Sequence, residues 1–164
     1  MPVKFRDLRE YIDLLEQNGE LFRVKKPVNR DYQPTAVLAR LEQENHYEAV
    51  LFENVNGIPN WRLMGNTFGN RRKLALALGT TDDKIGEEFR KRLANPIYPL
   101  MVETGPVKEN IICGAEIDLD QLPFVTHHEK DAGRYISYGV CVAKDPETGV
   151  RNMGIYRHMV KGKD

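Results

Sequence analysis

Two strand-like runs joined by a short turn near the end of the chain constrain its fold more than any other feature. Tyr135 to Lys144 and Asn152 to Val160 flank Asp145-Pro146-Glu147-Thr148-Gly149. Period-two character on both sides of a Gly/Pro/Asp turn predicts a β-hairpin. A lone hairpin is marginal in water and must join a larger sheet. Only Lys161-Gly162-Lys163-Asp164 follows, so the sheet is expected to be unfinished within this chain and completed from elsewhere. In the second strand Met153, Ile155, Arg157 and Met159 share one face by alternation. A guanidinium within an apolar row is costly to bury unless an anion meets it. The row therefore predicts a carboxylate or phosphate site. The alternative is a bent edge strand with Arg157 lying along the surface, since long cationic side chains snorkel easily.

The residues before the hairpin read as α/β. Leu8, Tyr11, Ile12 and Leu15 recur at helical spacing, and Gly19 stops the pattern. Leu21 to Val24 reads as a short strand. Pro34 suits the first turn of a helix, with Val37, Leu38 and Leu41 as its apolar stripe. Ala49 to Phe52 is a strand candidate and Asn56-Gly57 a turn. A helix ends at Leu78-Gly79, and Thr81 is placed to cap another that runs to about Leu93. Beyond Asn95-Pro96 the pattern changes to loops and strands, the first strand expected at Asn110 to Cys113. A domain boundary is expected between about Asn95 and Pro106, giving units 1–100 and 101–164.

Composition narrows the function. The 164 residues hold 24 Lys+Arg and 24 Asp+Glu, so no global field attracts nucleic acid or an acidic membrane. No apolar run approaches a membrane span, and Met1 to Asp7 lacks the apolar core of a signal peptide. A cytoplasmic protein is expected, with Cys113 and Cys141 reduced and in the core. His46, His127, His128 and His158 show no paired zinc spacing. His127-His128-Glu129-Lys130-Asp131 reads as a solvated loop, with approach to a pocket as the sharper alternative. Gly65 to Arg72 carries glycines before a helix but matches neither a P-loop nor a dinucleotide fingerprint. Arg71, Arg72 and Lys73 are expected to be solvated. No Ser/His/Asp or Cys/His arrangement follows from the spacings.

Several segments, in order, resemble the N-terminal part of the UbiD-like decarboxylases that use prenylated FMN. They include Asp7-Leu8-Arg9-Glu10-Tyr11-Ile12, Leu51-Phe52-Glu53-Asn54-Val55 and Asn66-Thr67-Phe68-Gly69-Asn70-Arg71. Further on come Gly114 to Pro123, His128 to Ile136 and Asp145 to Gly149. The most specific match is Asn152-Met153-Gly154-Ile155-Tyr156-Arg157. The resemblance implies an N-terminal α/β domain followed by the opening strands of a flavin-binding split β-barrel, incomplete in this chain.

It also implies roles. Asn152 would help hold a divalent metal, Mn2+ or Mg2+, on the cofactor phosphate, with K+ as a further candidate ion. Gly154, Ile155 and Tyr156 would line the flavin, and Arg157 would sit beside the isoalloxazine and the substrate carboxylate. Ser137 would line the substrate side. The implied reaction is non-oxidative, reversible or not, on an aromatic or α,β-unsaturated carboxylic acid. A flavin prenyltransferase would supply the cofactor, and the full-length protein would be a homo-oligomer. The family's later histidine and acidic residues have no counterpart within residues 1–164. This chain alone is therefore expected to be inactive and to bind flavin weakly. The competing expectation is a non-catalytic binding or assembly piece that needs a second polypeptide. Simple flavin reductase chemistry fits less well, because nothing suggests nicotinamide recognition. Strict alternation puts Asn152 and Arg157 on opposite faces, so a shared cofactor requires a bent strand or action by Asn152 from the strand's start.

Overall fold

Asp7 opens the first helix: its carboxylate accepts from the amides of Arg9 and Glu10 and caps α1, Leu8–Gln17. In the computed structural model, which describes residues 5–164, this helix buries Tyr11, Ile12, Leu14 and Leu15 on one face. The reading of the N-terminus rests partly on Met1 to Lys4, which lie outside the described residues. Gly19 takes the left-handed conformation (φ 71°) and turns the chain into β1, Leu21–Val24. Helix α2, Gln33–Gln43, carries Pro34 in its first turn. β1 then pairs in parallel with β2, Ala49–Phe52.

Strand β2 is buried at every position, as expected of a strand covered on both faces. Val50 and Phe52 pack with Val28, Val55 and Ile58 and with the Val37, Leu38 and Leu41 stripe of α2. Ala49 packs on the other side with Tyr11, Leu14 and Leu15 of α1. A strand that the sequence pattern does not reveal, β3, Leu63–Gly65, pairs antiparallel with β2 and completes a three-stranded sheet. Asn70 caps α3, Arg71–Leu78, by accepting from the Lys73 amide, and Gly79 ends it in the left-handed region. Thr81 opens a single 3-10 turn, Asp82–Lys84, and α4, Ile85–Ala94, follows.

Lys73 departs from expectation: it is fully buried rather than solvated. Its ammonium donates to the carbonyls of Tyr47 and Asn66, which satisfies the cation inside the fold. Burial still lowers its pKa, against the raising influence of Glu20 and Glu48.

The strand expected at Asn110 to Cys113 does not form. Ile111 and Ile112 are largely exposed and have no partner strand among the described residues; apolar β-formers need such a partner. The expected hairpin does form, from β4, Tyr135–Lys144, and β5, Arg151–Met159, paired antiparallel. Asp145 holds its turn by accepting from the amides of Glu147 and Thr148. β4 and β5 form a separate two-stranded sheet, and large apolar residues are exposed on both of its faces. Both cysteines are free as expected, but both are exposed rather than in the core; Cys141 lies on this uncovered hairpin. The hairpin is tied to the first unit through Thr126, whose carbonyl accepts from the Tyr32 amide at 2.8 Å and whose hydroxyl donates to Asp31 at 2.6 Å.

Candidate functional site

Arg157 stands in β5 opposite an irregularity in β4. The register runs Ile136 to His158 and then Gly139 to Tyr156. Two β4 residues, Ser137 and Tyr138, therefore face one β5 residue, Arg157. Such a bulge bends the strand and re-aims side chains. The Arg157 Nη2 donates to Asp131 Oδ2 at 2.7 Å, and its Cζ lies 3.7 Å from the centre of the Tyr135 ring, well within cation–π range.

Asp131 is fixed by its own turn. The same Oδ2 accepts from the amides of His127 and His128, each at 3.2 Å. The His127-to-Asp131 run is therefore a folded turn that turns Asp131 inward. Burial works against the Asp131 anion, but the His128 amide and Arg157 more than offset it, so its pKa lies below the usual carboxylate value. His127 moves down as well. Burial is the main cause and the Arg157 charge adds to it, while Asp131 opposes. The neutral imidazole is thus favoured. Its Nε2 shares a hydrogen bond of 2.5 Å with Ser137 Oγ. Its Nδ1 is buried without a hydrogen-bond partner and lies 3.9 Å from Asp131 Oδ2, beyond hydrogen-bond reach.

His127 and Ser137 also line a cavity of about 460 Å³ between the hairpin and the first unit, with Leu38, Phe52, Phe68 and Val125 among its apolar walls and Asn66 and Thr67 among its other polar ones. The structure therefore gathers Ser137, His127, Asp131, Tyr135 and Arg157. Sequence reading singles out Ser137 and Arg157 and misses the pairing with Asp131 and Tyr135. The available signals were an Asp four positions after His127 and an aromatic residue opening β4.

Asn152 is not gathered there. It pairs with Ala143 near the turn, on the opposite face of β5 from Arg157 and about 16 Å along the strand at 3.2–3.4 Å per residue. The bend lies in β4, so the parity of β5 is unbroken. Gly154, Tyr156 and His158 share the Asn152 face, while Ile155 shares that of Arg157. A Cβ at Gly154 would approach the Tyr156 ring to 2.7 Å, so the ring lies across bare backbone. Cys141 Sγ lies 3.1 Å from His158 Nε2.

The site's own features bear on what it can hold. The outer edge of β5 has no partner strand among the described residues, so its backbone groups can line a flat ligand. Arg157 can meet an anion. For a metal, Asn152 offers one neutral oxygen, and no group of three or more His, Cys, Asp or Glu side chains is clustered for metal binding among the described residues.

Residues 12–93 match the family profile described as the 3-octaprenyl-4-hydroxybenzoate carboxy-lyase N-terminal domain, and residues 100–164 match the Rift-related domain of the same lyase. An uncharacterized protein of Aquifex aeolicus is 35% identical over 100% of this chain and 38% of its own length. The UbiD-class enzyme HmfF from Pelotomaculum thermopropionicum, solved with FMN, superposes with a TM-score of 0.86 at 35% identity, covering 96% of this chain and 35% of that one. The vanillic acid decarboxylase of Sedimentibacter hydroxybenzoicus gives 0.87 at 33% identity, covering 98% and 36%. The chain thus spans little more than a third of the length of the relatives it matches. Its mixed helix and strand content, its two small open sheets and this superposition identify the fold as the α/β N-terminal region of that class with barrel strands that are not closed. The chain belongs to the UbiD family.

Proposed function

We propose that this chain forms the carboxylate-facing and flavin-facing part of a non-oxidative decarboxylase for an aromatic or α,β-unsaturated carboxylic acid, acting within a protein of its relatives' full length. One observation carries the reading: Arg157, on the family's most specific strand, is held by Asp131 and Tyr135 with 45% of its side chain still exposed. Residues 1–100 serve as the α/β domain and 101–164 as the start of the flavin-binding barrel.

Prenylated FMN, when bound, supplies the electron sink as CO2 leaves. The chain's residues bind and orient around it. Arg157 grips the carboxylate through its planar fork. The backbone of Gly154, Ile155 and Tyr156 lines the flavin edge. Ser137 faces the substrate side, its hydroxyl fixed on His127. Asn152 would offer one oxygen to a divalent ion, Mn2+ or Mg2+, bound with the cofactor, and further donors and any K+ site would come from outside the described residues. Asn152 and Arg157 then address opposite ends of a long ligand, which suits their separation along β5. The remaining features of the reading are a flavin prenyltransferase as cofactor source, homo-oligomeric assembly and a cytoplasmic setting. Among the described residues no helix is long and apolar enough to cross a membrane. The uncovered hairpin faces favour a second reading, a non-catalytic assembly piece completed by another polypeptide.

A decarboxylation assay on the full-length protein separates the two. Arg157→Ala is expected to lose about 2–5 kcal/mol of transition-state stabilisation, as when a charge-assisted partner is removed. Arg157→Lys fails as well, because a point charge lacks the fork. Arg151→Ala, on an exposed arginine beside the turn, stays near wild type. If Arg157→Ala keeps more than about a tenth of the wild-type rate, a loss under ~1.4 kcal/mol, Arg157 is a surface arginine on a bent edge strand; absence of decarboxylation by the full-length wild type is the result that favours the assembly reading.

A further inference from the structure

We propose that Asp131 is the positioning residue of Arg157: it pins one corner of the guanidinium while Tyr135 supports its face, so that the remaining N–H donors are presented to a carboxylate. This inference rests on the reading of Arg157 given above. The Asp131 carboxylate is itself immobilised. Its Oδ2 accepts two backbone amides of its own turn at 3.2 Å, its amide donates to the His128 carbonyl at 3.0 Å, and its side chain is only 13% exposed. Arg157 touches this fixed point through Nη2 alone.

The second support, Tyr135, is set by strand register. It pairs with Met159, two residues beyond Arg157, and lies under the guanidinium carbon at 3.7 Å. One fixed corner and one supported face define the plane of the fork. A guanidinium has five N–H donors, and among the described residues only Nη2 is engaged. An exposed arginine without such supports would lose rotamer freedom each time it bound an anion; here that ordering precedes binding.

Asp131 also carries a negative charge that weakens the net attraction of the site for an anion. Positioning and attraction therefore pull apart, and this separates the proposal from a purely structural role. Asp131→Asn retains an oxygen for the two amides and removes the charge pair. In the full-length, flavin-loaded protein, kcat per bound flavin is expected to fall about 10- to 100-fold, the scale of a small misplacement of a reacting group, while KM does not rise. Tyr135→Phe keeps the ring face under the guanidinium and is expected to lose less kcat than Tyr135→Leu, which removes it. Independently of activity, nitrogen NMR of the Arg157 side chain in this chain is expected to give separate Nη signals in the wild type and one averaged signal in Asp131→Asn.

Wild-type kcat in Asp131→Asn, a rise in KM at unchanged kcat, equal effects of Tyr135→Phe and Tyr135→Leu, or freely rotating Nη groups in the wild type would each overturn the proposal. An inactive Arg157→Ala beside a fully active Asp131→Asn removes this inference alone. An active Arg157→Ala removes the reading of the arginine and this inference with it.

Discussion

Strand β2 and strand β4 are both rich in apolar residues, yet their surroundings are opposite. Ala49, Val50, Leu51 and Phe52 are at most 1% exposed, whereas Val140 and Val142 are 51% and 64% exposed. β2 lies between two strands and under two helices, with hydrophobic clusters on both faces. Among the described residues β4 has β5 as its one partner strand, with a single bridge from Tyr135 to Val125, and most of its residues are exposed. Burial, rather than composition, separates the part of the molecule that holds it together from the part that presents Arg157, Asn152 and the open edge of β5. A buried apolar strand stabilises the fold; an open one stabilises little by itself and leaves backbone and side chains free to meet something else.

The sharpest way to break this comparison is to truncate one apolar side chain to alanine in each strand. Phe52→Ala is expected to destabilise the protein by about 3–5 kcal/mol, the cost of emptying a buried aromatic position. Val142→Ala, on an exposed strand position, is expected to stay within about 0.5 kcal/mol. Urea denaturation of both variants measures this, and similar losses in the two would erase the distinction.

A smaller effect comes from the sealed side of the same comparison. The Tyr11 hydroxyl donates to the Lys73 carbonyl at 3.1 Å, and burial, helped by Glu20, pushes its pKa up to about 12. The unfolded phenol ionises near 10. The raised folded pKa means that the contribution of neutral Tyr11 is complete below pH ~10 and is lost as pH rises from there through about 12. The loss is on the order of 2–3 kcal/mol for a shift of about two units. Lys73 acts in the opposite sense, since burial lowers its pKa, but it is present in both proteins when wild type is compared with Tyr11→Phe. At pH 8 the wild type should be the more stable by about 1 kcal/mol, one hydrogen bond's worth. By pH 12 the advantage should have vanished or reversed. A gap independent of pH would mean that Tyr11 is not sealed.

The elements legible in the sequence are those whose signals are local. Helix α1 shows its stripe, the α3 end shows its Gly79 stop, and the hairpin shows alternation around a turn that Asp145 can hold. β3 was not legible because three residues carry no period, and its pairing with β2 is a tertiary fact. Lys73 reads as solvated in any sequence window. Only the fold brings the carbonyls of Tyr47 and Asn66 to its ammonium. Ile111 and Ile112 read as strand because apolar β-formers say nothing about whether a partner is present. In the site, Arg157 was visible as a cation in an apolar row. Its contact with Asp131, 26 positions away, depends on how the 127–131 turn folds back on the hairpin.

Backbone hydrogen exchange tests the contrast between the two regions most directly. The amides of Val50, Leu51 and Phe52 should exchange only by global unfolding, as core strands do. The paired amides of β4 and β5, from Val140 to Ala143 and from Asn152 to Ile155, should exchange at least about 100-fold faster, a local opening ~3 kcal/mol less costly. Equal protection of the two strand sets in this chain would contradict the account, because it would place the hairpin within the same sealed core as β2.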